Sequence, residues 1–227
     1  MKFTPLRTAL MSLLLSVSAV ANAGLITLDT SNVIGSTTSY DSRFLAEYIL
    51  DNQSGVITET NQQANDADGG YWLNPDDGMV NAWITIDLGS AYIIDFLELF
   101  NTHNAQYFDR GTGDFRILAS NSVTQVGNLN GNISTLIDST LLAEPGIRNG
   151  YHDDPLDAQS FFVTNTSAFR YLQFRADSVA VGGVPCCGSN VYGLNEIRVS
   201  AVPEPTSIAI FALGVIGLAS RRFKKQS

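Results

Sequence analysis

The sequence predicts an all-β antiparallel fold, a sandwich or jelly roll, and three observations carry that prediction. Short stretches of alternating or β-branched apolar residues recur at 83–88, 93–100, 115–119, 133–137, 160–164, 169–176 and 194–199. Clusters of Gly, Asn, Asp and Ser separate them, as at 65–70, 74–78, 127–132 and 182–190. No heptad or internal repeat is present. Many short strands punctuated by turn formers are the signature of packed antiparallel sheets.

The elements follow in order. Residues 42–50 place Phe44, Leu45, Tyr48 and Ile49 at helical spacing and predict one helical turn. Residues 61–78 are rich in Asn, Asp and Gly and read as a long surface loop, which in a compact domain usually has a function. The 65–69 run fails as an EF-hand, because its first position would be Ala64 and its twelfth Pro75. In 83–88 the apolar residues Ile84, Ile86 and Leu88 alternate and form one core face. Asp87 reads as an acceptor for backbone N–H groups in the turn at Gly89-Ser90. Arg170, beside Tyr171, reads as the partner of an internal carboxylate. For both residues the alternative is ligand contact.

Both ends of the chain read as targeting segments. Lys2 and Arg7 precede an apolar run, 9–20, and an Ala21-Asn22-Ala23 site before Gly24. This is a secretory signal peptide over 1–23, cut between Ala23 and Gly24. At the other end Pro203-Glu204-Pro205 precedes the 12-residue apolar run 208–219 and then Arg221-Arg222-Phe223-Lys224-Lys225. As a helix that run spans about 18 Å, against a bilayer core of about 30 Å. The basic residues would stay cytoplasmic. An ordinary short membrane anchor and a buried helix are the alternatives.

Between the ends, residues 24–202 have the length of one domain, with an N-terminal segment 24–39 and a β-sandwich 40–201. This stretch contains no lysine, and its seven arginines face 21 acidic residues, a formal charge of −14. Such a surface repels phosphate backbones and argues against nucleic-acid partners. It is compatible with calcium and with neutral or basic glycans. Cys186 and Cys187 are adjacent, so an oxidising environment would give either a strained local bridge or an intermolecular crosslink. Two cysteines without further ligands do not make a zinc site. No nucleophile elbow, H-E-x-x-H or phosphate loop occurs.

Two resemblances sharpen this reading. The tail, taken as motif, short hydrophobic helix and basic end, resembles the PEP-CTERM sorting signal of Gram-negative bacteria that make exopolysaccharide. The resemblance implies recognition by exosortase, a membrane protease-transpeptidase, with cutting near Pro203-Glu204-Pro205. It also implies transient tethering in the inner membrane before release to the cell surface or extracellular matrix. In the body, Trp83-Ile84-Thr85-Ile86-Asp87-Leu88-Gly89 resembles a strand of discoidin, or coagulation factor type C, domains. Phe115 to Ser120, Phe169-Arg170-Tyr171-Leu172 and Leu194 to Val199 resemble three further strands, in the right order over 40–200. The family fold is a galactose-binding-like jelly roll.

That resemblance implies two sites. One is a structural calcium, for which Asp51, in the turn after Ala46, and the late glutamate Glu196 are the matching side chains. Asn52 replaces the family's usual glycine there, and asparagine also tolerates a left-handed backbone. The other is a sugar site in the loop 101–114, which joins two predicted strands. His103, Asn104 and Arg110 would bind vicinal hydroxyls, and Tyr107 or Phe108 would stack on the ring. Tyr71 and Trp72 are further stacking candidates. The alternative is a loop closed by an Asp109–Arg110 salt bridge. Discoidin-like domains that stand alone are binding modules, so the expected protein is non-catalytic and binds exopolysaccharide. A surface adhesion protein with a protein partner and a small carbohydrate-active enzyme are the competing readings.

Overall fold

A computed structural model describes residues 24–51, 70–75, 81–102, 111–142, 158–179 and 191–202. Leu25–Ala201 forms one compact unit, and the two ends fall outside it. The expected signal peptide, the Pro203-Glu204-Pro205 motif, the short hydrophobic helix with Arg221 and Arg222, and Cys186-Cys187 lie outside the described residues. Among the described residues no helix is long and apolar enough to cross a membrane.

The unit is an antiparallel β-sandwich of the jelly-roll class, organised around one long strand. The strands are β1 (Gly24–Leu25), β2 (Val33–Ser36), β3 (Trp72–Leu73), β4 (Ala82–Phe100), β5 (Asp114–Ser120), β6 (Ser122–Val123), β7 (Leu129–Asn130), β8 (Ser134–Leu141), β9 (Gln159–Phe162), β10 (Ala168–Ala176), β11 (Gly193–Leu194) and β12 (Glu196–Ala201). The first half of β4 lies between β2 and β10, and the sheet continues through β5 to β8. The second half of β4 lies between β9 and β12, and β12 is flanked by β1. One strand therefore belongs to both sheets.

The sequence divides this strand into two, 83–88 and 93–100, because Gly89-Ser90 looks like a turn. The chain instead bulges and continues. Tyr171 pairs with Asp87 and Phe169 with Tyr92, so residues 88–91 of β4 face Arg170 alone. Gly89 sits at φ 78°, a left-handed value that glycine accepts without strain. The bulge changes which residues face inward. Ile84, Ile86 and Leu88 are buried before it, and Leu97 and Leu99 after it.

Asp87 and Arg170 hold the bulge closed. Asp87 Oδ1 accepts from the Gly89 N–H at 2.8 Å, as the turn reading predicts. Arg170 Nε donates to the same oxygen and Nη2 to Oδ2, both at 2.8 Å. The Asp87 backbone carbonyl accepts from Asn32 Nδ2, in a 3-10 turn Thr30–Asn32. The other helical element, predicted as one turn within 42–50, is a 3-10 helix Ala46–Leu50 whose Ala46, Ile49 and Leu50 are buried.

An aromatic chain ties the two sheets together across the core. Trp72 meets Phe174 of β10 edge-on at 6.3 Å, Phe174 stacks with Phe115 of β5 at 5.8 Å, and Phe115 meets Phe161 of β9 at 4.9 Å. Each such pair contributes about 0.5–1.5 kcal/mol beyond its buried area. A hairpin of β6 and β7 folds over the outer face of the larger sheet. There Asn128 Oδ1 and Thr85 Oγ1 both accept from the buried Gln173 Nε2 at 2.9 Å. The hairpin tip touches β2 so closely that a Cβ on Gly127 would lie 2.3 Å from the Ile34 carbonyl oxygen.

Candidate functional site

Several described segments converge on one end of the sandwich, and buried polar side chains lock them. β4 leaves its sheet at Asn101, and the chain re-enters at Thr112 and Gly113 ahead of β5. Asn101 is buried, and its Nδ2 donates to the Thr112 carbonyl at 2.8 Å. Its Oδ1 accepts from the Thr112 N–H at 3.0 Å and from the Thr102 N–H at 2.9 Å. One amide thus closes the stem of the loop. Thr112, also buried, donates through Oγ1 to the Gly193 carbonyl at 2.7 Å. Gly113 donates to Ser178 O at 2.8 Å, and Leu142 donates to Gly113 O at 2.9 Å. Asn74 Oδ1 accepts from the Tyr192 N–H, and Asn74 N donates to Tyr192 O at 3.1 Å.

The sequence marks 101–114 as the loop, but nothing in its periodicity marks Asn101 and Thr112 as the clamp. His103, Asn104, Tyr107, Phe108 and Arg110 lie in 103–110, outside the described residues. So does most of the 61–78 loop.

Trp72 is a correction. The sequence offers it as a stacking platform, yet it is 0% exposed in β3, packed on Phe174. A ring with no exposed face cannot meet a sugar, so Trp72 belongs to the core. Tyr71 is equally buried, against Phe44 at 5.0 Å, in a small cluster with Leu73 and Val191.

Asp51 caps the C-terminal end of the 3-10 helix Ala46–Leu50, and Glu196 opens β12 and is fully buried. The helix packs against β12, so the elements bearing the two carboxyl groups are neighbours. The Asp51 residue is exposed by surface, yet protein crowding on one side pushes its carboxyl up to about 6. Water on the open side screens part of that cost. Two carboxylates suit a hard cation, which needs six to eight oxygens, with backbone carbonyls supplying most of the rest. Among the described residues no group of three or more His, Cys, Asp or Glu side chains is arranged to hold a metal.

Comparison with known proteins gives two findings. Residues 201–225 match the PEP-CTERM protein-sorting motif, so the chain carries the tail of an exported, exosortase-sorted protein. Among solved structures, the chain is similar to the C-terminal domain of a Bacteroides fragilis chitobiase, with 16% identity over 78% of this chain and 99% of that one and a TM-score of 0.49. It is also similar to the Clostridium perfringens module CpGH89CBM32-4 in complex with GlcNAc-alpha-1,4-galactose, with 20% identity, 81% and 98% coverage and a TM-score of 0.46. A third is the family 32 carbohydrate-binding module of Clostridium perfringens NanJ in complex with galactose, with 17% identity, 79% and 99% coverage and a TM-score of 0.44. No curated protein sequence matches the chain.

Proposed function

We propose that this protein is a non-catalytic cell-surface or matrix component of a Gram-negative bacterium that binds carbohydrate, with exopolysaccharide as the natural ligand. The observation that carries the reading is the clamp between Asn101 and Thr112. It gives the loop that bears His103, Asn104, Tyr107 and Arg110 a rigid base at one end of the sandwich. A loop whose two ends are tied together has less entropy to lose on binding. Imidazole, amide and guanidinium groups suit sugar hydroxyls, and the Tyr107 ring suits the C–H face of a pyranose.

The tail directs the chain to an exosortase-type enzyme, with the C-terminal run holding it in the inner membrane until processing. One structural calcium, held by Asp51 and Glu196 with backbone carbonyls, stiffens the domain beside the loop stem, since Glu196 pairs with Phe100 next to Asn101. A second reading, a protein partner at the cell surface, is favoured by Phe162. It is 75% exposed on β9 and lies 5.9 Å from Phe96 on the outer face of the smaller sheet.

A glycan array probed with the full chain, with and without calcium, tests the first reading. Binding to galactose-type or exopolysaccharide-derived sugars supports it. A blank array from folded protein moves the assignment to the protein partner.

A further inference from the structure

The described arginines are matched to partners with one exception. Arg43 pairs with Asp41, Arg116 with Asp177 and Arg170 with Asp87, and Arg198 lies over the Phe100 ring. Arg175 has no ion pair or hydrogen bond among the described residues, and its Nε is buried without a partner. That is unexpected in a domain with a threefold excess of carboxylates over arginines. A guanidinium N–H removed from water and left unbonded carries a desolvation cost.

Its setting is specific. In β10 the core-facing residues are Leu172, Phe174 and Ala176, so Arg175 faces outward. Directly across from it stand Trp83 of β4 on one side and Arg116 of β5 on the other. Cross-strand neighbours of this kind have Cβ atoms about 4.5–5.5 Å apart. The next row of the same face, Thr85, Gln173 and Leu118, is buried, with Asn128 of the β6–β7 hairpin bonded to Gln173. The Trp83–Arg175–Arg116 row is half-exposed. Arg116 is neutralised by a two-bond pair with Asp177 at 2.6 and 2.7 Å, so among the described residues the unpaired positive charge of the row belongs to Arg175.

From this row we propose a second binding site, on the outer face of the larger sheet, that takes the carboxylate of an acidic sugar residue. The planar guanidinium of Arg175 offers a fork matched to a carboxylate. The Trp83 indole beside it offers a ring face for the pyranose that bears the carboxylate. A densely charged polyanion is disfavoured by the net charge of −14 on residues 24–202. The fitting ligand is therefore a mostly neutral polysaccharide carrying isolated uronate residues. The proposal rests on the carbohydrate reading but not on the 101–114 loop.

The test is calorimetric titration of the full chain in detergent with galacturonosyl-galactobiose, a trisaccharide carrying one uronate, and with neutral galactotriose and acetate. The expected result is galacturonosyl-galactobiose binding that falls about tenfold or more in Arg175→Gln. Trp83→Ala loses it too, while His103→Ala retains it. Arg175→Lys, which keeps the charge but not the fork, also weakens it and guards against a folding defect in the glutamine variant. Unchanged affinity in both Arg175 variants overturns the site, as does full competition by acetate at equal concentration. Binding of galactotriose with no added affinity for galacturonosyl-galactobiose defeats this proposal alone. Binding of neither sugar defeats it together with the carbohydrate reading.

Discussion

Asp87 and Arg170, 83 residues apart in the chain, form a two-bond ion pair across the bulge that lets β4 serve both sheets. The same carboxylate also accepts from the Gly89 N–H inside the bulge. The pair thus fixes the point at which one strand passes from the larger sheet to the smaller.

That arrangement predicts an acid-sensitive element of stability. The bonds from Arg170 come first among the causes that hold the Asp87 carboxyl below its ordinary value of 3.8. A carboxylate with a depressed folded-state pKa stabilises the fold fully above its unfolded value. That contribution is lost as pH falls through the lower folded-state value. Thermal melts of the wild type should therefore drop more steeply below pH 3.8 than melts of Asp87→Asn, which starts lower and stays flatter. Parallel curves would remove the pair from the account.

Asp51 predicts the opposite sign. Burial pushes its carboxyl up to about 6, so the stability it provides is present below 3.8 and lost as pH rises through about 6. At neutral pH without calcium, Asp51→Asn should melt higher than the wild type, and at pH 3.5 the two should coincide. Calcium should raise the wild-type melting temperature at neutral pH and leave Asp51→Asn unmoved. A wild-type melting temperature unchanged between excess calcium and excess chelator would dispose of the metal.

The stem clamp predicts a coupled loss. Asn101→Ala removes three hydrogen bonds from a buried site and should cost about 1–3 kcal/mol in denaturant unfolding. It should also weaken sugar binding, because the two ends of the loop are no longer tied. Thr112→Val leaves the Gly193 carbonyl without its hydroxyl donor and should behave similarly but more mildly. Sugar affinity unaffected by Asn101→Ala would separate the clamp from the site.

Core substitutions should ignore ligand entirely. Phe115→Ala breaks the aromatic chain between the sheets and Trp72→Ala removes its first ring, and each should cost about 3–5 kcal/mol. Gly127→Ala should cost more than about 1 kcal/mol, because φ is +78° and the added Cβ meets Ile34 O at 2.3 Å. Urea unfolding midpoints measure all three. A Trp72→Ala protein of wild-type stability would return Trp72 to the surface.

Much of this fold was legible because alternation is a local signal. Ile84, Ile86 and Leu88 mark one buried face, and Phe115 to Ala119 and Phe169 to Ala176 fall inside β5 and β10. The roles of Asp87 and Arg170 were readable one at a time, as a turn acceptor and as a carboxylate's partner. Their pairing was not, because it depends on a bulge that periodicity reads as a break. Trp72 misleads for a related reason. Tyr71, Trp72 and Leu73 are all buried around a two-residue strand, so no alternation separates a core ring from an exposed one. Asn101 and Thr112 carry no local signal, since their importance comes from closing a loop on itself. Arg175 was invisible as a site because the lack of a partner for its Nε among the described residues can be seen only in three dimensions.

The measurement that bears most directly on the central claim is calorimetric titration of the full chain with a galactose-type oligosaccharide chosen from the array. Wild type is compared with His103→Ala and Arg110→Ala. The account predicts saturable binding that each substitution weakens at least about tenfold, the loss expected for one charge-assisted or geometrically fixed hydrogen bond, with melting temperatures unchanged. Equal affinity in all three proteins, or no binding by well-folded wild type, would contradict it.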